Sequence, residues 1–210
     1  MPSESPPTRT ANGRPTIPGD ETPARTAVTL APTRVSPIRT PRLELVAFEP
    51  DAIRALVDGD RGRTEELIGM QLPEEFPTHD ELDGFLTVQL HRMERAPARR
   101  AWMARLMKRT HDNALIGHCG FHGPPEMVGR AEIGYSVFTS HRGQGYAKEA
   151  AGALVRWAFR RGEKQVYASV SPDNQVSLAV VKALGFTQVG TQEDEVDGLE
   201  LVFVVEPPAR

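Results

Sequence analysis

The stretch "EIGYSVFTSHRGQGYAKEAAGALVRWAF", residues 132–159, constrains the fold more than any other part of the chain. Its beginning indicates a strand, and its alanine-rich end carries apolar residues at helical steps of three and four. Gly143 and Gly145 stand where the helix begins, directly after Arg142. The apolar face of such a helix must be covered, so a strand that turns into it predicts helices packed against a sheet.

The segments before this stretch supply strands and short helices. The alternation in "RLELVAF", from Arg42, predicts a half-buried strand, and "PDAIRALVDGD" predicts a helix that begins at Pro50 and ends before Gly59. One or two short helices should follow, interrupted by Pro73 and Pro77. "AWMARLMKR" and "ALIGHCGFHG", joined by the turn-like "THDN", predict a hairpin.

The segments after it complete the predicted domain. "QVYASVS" indicates a strand, and "NQVSLAVVKALGF" indicates a short, mostly buried helix that is apolar nearly all round and stops at Gly185. "TQVGTQEDEVDGLELVFVVE" predicts two closing strands. The predicted fold class is therefore α/β (α+β), with a mixed, mainly antiparallel twisted sheet flanked by helices over residues 41–206.

Residues 1–40 differ in composition from the rest of the chain. They are crowded with Pro, Thr, Ser and Arg and contain no aromatic residue. Such a segment cannot bury enough apolar area to offset the entropy lost on ordering it. We expect a disordered Pro/Thr/Arg-rich tail.

Composition and charge argue against several classes of function. The net charge of −3 argues against nucleic acid as the main partner. No apolar run approaches the roughly 18 residues of a membrane helix, and the first residues lack the apolar region of a signal peptide. Cys119 is the single cysteine, which excludes an internal disulfide and suits a reducing compartment. We expect a cytoplasmic protein that does not associate with membranes.

The glycine turn favours a phosphate ligand. A helix start leaves four N–H groups without intrahelical partners and carries about half a positive charge, and glycines let a ligand come close to the backbone. The sequence does not fit the Walker A pattern, which needs two glycines five apart followed by Lys and Ser or Thr. The dinucleotide fingerprint needs a third glycine where Lys148 stands.

A third phosphate-binding scheme fits these residues. "RGQGYA", residues 142–147, resembles the Arg/Gln-x-x-Gly-x-Gly/Ala motif of the GNAT superfamily of acyl-CoA-dependent N-acyltransferases. "SPDNQVSLAVVKALGF", residues 171–186, is similar to the family's Asn-x-x-Ser/Ala…Leu-Gly-Phe segment, and "AEIGY" resembles the strand ahead of its cofactor turn. The resemblance covers about residues 42–206 and is closest to the ribosomal-protein N-terminal (alanine) acetyltransferase-like branch.

The resemblance implies a cofactor site and an activity. In the family the amides of the turn hold the pyrophosphate of coenzyme A, and the asparagine helps to bind its pantetheine arm. The chain would then be an acetyl-CoA-dependent N-acetyltransferase without a metal, active as a monomer or homodimer on a peptide N-terminus or a small amine such as a polyamine or antibiotic. The implied cofactor-binding residues are Val137, Arg142, Gly143, Gln144, Gly145, Tyr146, Ala147 and Asn174.

Acetylation of an amine requires a neutral amine and a proton for the leaving thiolate. An alkyl ammonium has a pKa near 10, so a base is needed at pH 7. Glu132 is the candidate base, and the alternative is an ion-paired glutamate at a strand edge. The family's usual acid, a tyrosine, is replaced by Val181, so Ser177 is the candidate acid unless it bonds to a carbonyl one turn earlier. Tyr135 and Tyr146 are further possible donors.

Other residues suggest weaker alternatives. Cys119 is expected to be a buried strand residue rather than a nucleophile. His118 and His122 are expected to line a cleft, where His118 could approach the acceptor amine, rather than bind a metal. The acidic residues between Glu65 and Asp83 form a solvated face or attract a cationic substrate. A non-catalytic acyl-CoA sensor and a nucleotide-binding domain remain the alternative functions.

Overall fold

The computed structural model describes residues 35–194 and 198–208, all within one compact unit. The strands are β1 Ile38–Arg39, β2 Leu43–Ala47, β3 Arg105–Arg109, β4 Leu115–Phe121, β5 Ile133–Val137, β6 Val166–Val170, β7 Thr187–Asp194 and β8 Gly198–Val205. The helices are α1 Pro50–Val57, α2 Arg61–Ile68, α3 Thr87–Arg95, α4 Pro125–Val128, α5 Tyr146–Arg160 and α6 Gln175–Ala183. No helix in the described ranges is long and apolar enough to cross a membrane.

The strands form two antiparallel sheets, in the orders β1-β2-β3-β4-β5 and β6-β8-β7. One parallel bridge joins the sheets within the described residues, between Glu132 and Tyr167, where the Tyr167 N–H donates to the Ala131 carbonyl at 2.8 Å. β5 and β6 are not paired beyond this bridge. The predicted fold class is confirmed, and the split between β5 and β6, which the sequence did not predict, opens a gap beside the glycine turn.

The first sheet has an apolar core on each face. α5 covers one face with residues that are fully buried or nearly so, because its small side chains let the helix approach the sheet: Ala150, Ala151, Leu154 and Ala158. Trp157 of α5 packs edge-on against Trp102, with ring centroids 4.7 Å apart. The other face packs against α1 and α3 through side chains that include Phe48, Ile53 and Met93. The predicted apolar stripe of α5 is thus confirmed.

Three sequence predictions need qualification at the level of elements. The tail predicted for residues 1–40 lies mostly outside the described residues, and Ile38–Arg39 pairs with β2. Residues 97–102 form a 3-10 helix, so β3 begins only at Arg105. The prediction that α6 is mostly buried was wrong, because α6 packs through Leu178 and Val181 while Val176 is 74% exposed.

Arg105 is the largest fully buried side chain among the described residues. Its guanidinium donates to the carbonyls of Ser36, Leu45 and Ala101 at 3.3, 3.1 and 3.0 Å. Burial lowers the pKa of Arg105 to about 10, which still leaves the group charged at neutral pH. Arg105 therefore ties the segment before β1 and the turn before β3 to the centre of the sheet.

We expect Arg105→Ala to lower the free energy of unfolding by about 3 kcal/mol, because it leaves buried carbonyls without donors and creates a cavity. Urea denaturation of the full chain measures this change. Arg63→Ala is the control, because the Arg63 side chain is 56% exposed and pairs with the exposed Glu66. Its effect should stay below about 1 kcal/mol. Equal losses in both variants would contradict the structural role of Arg105.

Candidate functional site

The turn between β5 and α5 has the geometry of an anion site. Gly143 and Gly145 have φ angles of 75° and 80°, a left-handed conformation that strongly favours glycine. Gly145 is the residue that precedes α5, and no side chain caps the helix there. The first N–H groups of α5 are therefore left to bind a ligand, as the sequence predicts.

Two residues between β1 and β2, Thr40 and Arg42, hold this turn in place, and the sequence analysis did not predict these contacts. The Arg42 guanidinium donates to the Gln144 carbonyl at 3.0 Å and to Glu149 at 2.6 Å, and it lies 4.4 Å from the centre of the Tyr146 ring. The Thr40 hydroxyl donates to the other Glu149 oxygen at 2.6 Å. Only an acidic residue in the first turn of α5 is visible in the sequence, since its partners lie more than 100 residues away.

A cavity of about 390 Å³ opens in front of the turn, between β5 and α6. It brings together most of the predicted cofactor-binding residues, namely Val137, Arg142, Gly143, Gly145, Tyr146, Ala147 and Asn174. Gln144 does not line the cavity, and its carbonyl accepts a hydrogen bond from the Arg42 guanidinium. Val176 and Val180 of α6 form an apolar wall, which explains the exposure of Val176.

A larger groove of about 670 Å³ lies elsewhere on the molecule, beside β1, β2 and α2. It contains no residue of the glycine turn. Size alone therefore does not identify the site, and the smaller cavity carries the groups that can bind an anion.

Asn174 and Ser177 lie at the start of α6, on the cavity wall. The Asn174 side-chain oxygen accepts from the Ser177 N–H at 3.0 Å and so caps the helix. The Ser177 hydroxyl makes no hydrogen bond to the carbonyl one turn earlier within the described residues. The Tyr135 hydroxyl lies 3.5 Å from the Ser177 carbonyl, and burial raises the pKa of Tyr135. Val181 is fully buried and does not reach the cavity.

Glu132 lies outside this cavity and is 6% exposed. One of its carboxylate oxygens lies 2.8 Å from two nitrogens of Arg130, and the other accepts from the Ser169 hydroxyl. Arg130 also donates to Gln192 at 2.8 Å. Glu132 thus has the contacts of the ion-paired glutamate that the sequence analysis offered as the alternative, and its role as a base stays a prediction.

The remaining candidates are separated from the turn. Cys119 is buried, and burial raises the pKa of its thiol to about 12, so it is not a thiolate at neutral pH. His118 is buried and bonds to Glu81, whereas the His122 side chain is 51% exposed. No group of three or more His, Cys, Asp or Glu side chains gathers as a metal site in the part of the chain that the structure describes.

A glycine turn with uncapped helical amides, at the junction of a strand and a helix, is the arrangement that the sequence resemblance implied. Residues 42–187 match the family described as the acetyltransferase (GNAT) domain. The chain belongs to the GNAT acetyltransferase family.

Individual relatives agree with this family. The uncharacterized N-acetyltransferase p20 of Bacillus licheniformis is 36% identical over 81 residues, which cover 38% of this chain and 46% of that protein. The chain spans about half the length of the curated relatives it matches.

Solved structures share the fold. An acetyltransferase from Agrobacterium tumefaciens has a TM-score of 0.57 and 26% identity, and the match covers 82% of this chain and 95% of that one. RimL, a ribosomal alpha-N-protein acetyltransferase solved in complex with coenzyme A, has a TM-score of 0.56 and 20% identity over 81% of this chain and 98% of that one. Because the identity with RimL is only 20%, that similarity shows a shared fold and nothing more.

We expect Glu149→Gln to lower the free energy of unfolding by about 2 kcal/mol at pH 7, because the carboxylate is mostly buried and accepts charge-assisted hydrogen bonds. Burial acts to raise the pKa of Glu149, but the bonds from Thr40 and Arg42 outweigh it and lower that pKa below 4.5. The stabilisation is therefore present above pH 4.5 and fades as the pH falls through the lowered pKa.

Urea denaturation from pH 7 down to pH 3 measures this difference. Glu66→Gln is the control, since the Glu66 side chain is 69% exposed and pairs with the exposed Arg63. Its effect should stay within about 0.5 kcal/mol. A difference between Glu149→Gln and the native protein that does not shrink in acid would contradict the assignment.

Proposed function

We propose that the protein transfers the acetyl group of acetyl-CoA to a primary amine, and that the acceptor is the α-amine of a peptide or protein N-terminus. The observation that carries the proposal is the uncapped start of α5, with two left-handed glycines, at one end of a cavity lined by the residues of the cofactor motif. Family membership and a relative of the same fold in complex with coenzyme A support the co-substrate. The name of that relative, an alpha-N-protein acetyltransferase, supports the acceptor class.

The residues present fit the parts of acetyl-CoA. The N–H groups that follow Gly145 suit the diphosphate, and Lys148 and His141 add basic side chains at the cavity. The Arg142 Nε donates to the Val137 carbonyl at 2.9 Å, which fixes the end of β5 beside the turn. Asn174 and the apolar wall of α6 suit the pantetheine arm, which is long and mostly uncharged.

The chemistry that fits this site is direct attack in a ternary complex. Cys119 is buried and its thiol is protonated at neutral pH, so it is poorly suited to a covalent acyl-enzyme. Ser177 and Tyr135 both line the cavity and carry hydroxyl groups that could supply the proton to the leaving thiolate. Ser177 is our proposed acid, with Tyr135 as the second donor.

Thermal unfolding of the full chain with acetyl-CoA, coenzyme A, ATP and NADH tests the co-substrate. A ligand at 100 times its Kd adds about 2.7 kcal/mol of stability, so the two CoA species should raise Tm clearly and the others should not. Gly145→Val should abolish this shift, because a β-branched residue resists a φ of 80° and intrudes on the ligand.

Gly59→Val is the matched control. Gly59 has a φ of 81°, open space around it and a position outside the cavity, so it suffers the same backbone strain. This variant should lose stability but keep the Tm shift with acetyl-CoA. Loss of the shift in both variants would mean that strain, rather than the site, explains the result.

The acceptor class is tested with a panel of amines: short peptides with a free N-terminal Ala or Ser, the same peptides blocked by acetylation, spermidine and kanamycin. Release of coenzyme A thiol measures turnover. We expect turnover of the free peptides and none of the blocked ones. Turnover of spermidine or kanamycin alone would overturn the peptide assignment while keeping the N-acetyltransferase.

A further inference from the structure

His118 and Glu81 form a partly enclosed pair that no role described so far requires. The His118 Nε2 lies 2.8 Å from a Glu81 oxygen, and the two side chains are 10% and 22% exposed. The second Glu81 oxygen accepts from the N–H and the hydroxyl of Thr78 at 2.8 and 3.0 Å. Glu81 is therefore held in place from behind while it holds the imidazole.

Aromatic rings surround the imidazole. The centroids of Phe85, Phe76 and Phe138 lie 5.2, 5.4 and 6.4 Å from that of His118, and Phe85 is stacked on it. Packing of this kind fixes the orientation of the ring and excludes water from its faces. Burial alone would raise the pKa of the Glu81 carboxyl, but the bonds from His118 and Thr78 outweigh it and lower that pKa. The pair therefore places a carboxylate beside the His118 ring.

The pair borders a small cavity that adjoins the cavity beside the glycine turn. His118 is opposite Ser136 in the register of β4 and β5, so the two side chains are neighbours on one face of the sheet. A small cavity of about 130 Å³ is lined by Phe85, His118, Tyr135 and Ser136, and the last two also line the cofactor cavity. The two cavities therefore meet at β5, with His118 on the side away from α6.

The hydrogen bond to Glu81 determines which imidazole nitrogen can act. An ionised Glu81 oxygen can only accept a hydrogen bond, so the Nε2–H of His118 donates to it. In the neutral imidazole the Nδ1 atom then carries the free lone pair. Nδ1 makes no hydrogen bond within the described residues. Among those residues, the only side-chain nitrogen or oxygen that is both buried and without a partner is the Nε of Arg105, so the Nδ1 atom itself must be accessible to solvent. Nδ1 is therefore open to the small cavity and can accept a proton.

Other ionisable groups on the elements around this cavity have partners of their own. Glu75 accepts from the Thr139 N–H, and Arg92 donates to the His122 carbonyl. His122 lies 4.0 Å from Glu132, and the exposed His79 pairs with Asp83. Glu132 is the rival base, but both of its carboxylate oxygens are occupied, one by Arg130 and the other by the Ser169 hydroxyl.

We propose that His118, positioned by Glu81, is the general base that removes the proton from the acceptor amine, an inference that rests on the proposed function. The Nδ1 of His118 takes one proton from the substrate ammonium, and the amine lone pair forms the C–N bond to the acetyl carbon. The C–S bond breaks and its electron pair leaves on sulfur, which takes a proton from the Ser177 hydroxyl, while the second proton lost by the nitrogen restores that hydroxyl. The products are the amide, coenzyme A thiol and one proton that His118 releases to water.

The pH dependence of kcat tests the proposal on the full chain, with acetyl-CoA and the amine that the panel identifies. We expect His118→Asn to lower kcat by about 100-fold or more and to remove the fall in rate at acid pH, while the Tm shift with acetyl-CoA is kept. Glu132→Gln should keep the acid limb of the profile. His111→Asn is the matched control, because His111 also lies beside a carboxylate, Asp112, but is exposed and lines neither cavity.

A second measurement needs no acceptor. The ¹⁵N chemical shifts of labelled histidine should place the His118 proton on Nε2 in the native protein. Glu81→Gln should change the position of this proton and reduce kcat, while most of the Tm shift with acetyl-CoA is kept. A proton on Nδ1, or a His118→Asn variant with kcat within threefold of the native value and its acid limb intact, would overturn the proposal. Failure of the proposed function would instead appear as a native protein that acetylates no amine.

Discussion

The amides at the start of α5 are the feature on which the rest of this structure depends. They can face a ligand only because β5 stops at Val137 and the two glycines turn the chain with left-handed backbone. The acid nearest to them, Glu149, is occupied by Arg42 and Thr40 rather than by the helix amides. The positive end of the helix therefore stays open towards the cavity, and the ion pair between Arg42 and Glu149 attaches the first turn of α5 to the segment between β1 and β2.

The split between the two sheets gives the site its two sides. Because β5 is not paired with β6 beyond the bridge at Glu132, one edge of β5 borders the cavity beside the glycine turn. The face that carries Ser136 and His118 borders the small aromatic cavity instead. A thioester that reached Tyr135 and Ser136 would be accessible to an amine from the second side. This geometry suits direct transfer between two substrates without a covalent enzyme intermediate.

Local signals in the sequence predicted the helices and strands, but the sequence did not predict the contacts between residues that lie far apart along the chain. The glycine turn, the hairpin and the closing strands are encoded by neighbouring residues, so their prediction was reliable. Arg42 with Glu149, and Glu81 with His118, meet over separations of 107 and 37 residues, for which one sequence offers no signal. The exposure of Val176 was not predicted for another reason. Apolar residues that line a cavity cannot be distinguished in sequence from those that fill a core.

The central claim is that the start of α5 holds the diphosphate of coenzyme A. Isothermal titration of the full chain with acetyl-CoA and with S-acetylpantetheine, which lacks the nucleotide and the diphosphate, tests it most directly. The account predicts that acetyl-CoA binds at least about 100-fold more tightly, since several charge-assisted hydrogen bonds are lost with the diphosphate. Equal affinity for the two compounds would contradict it.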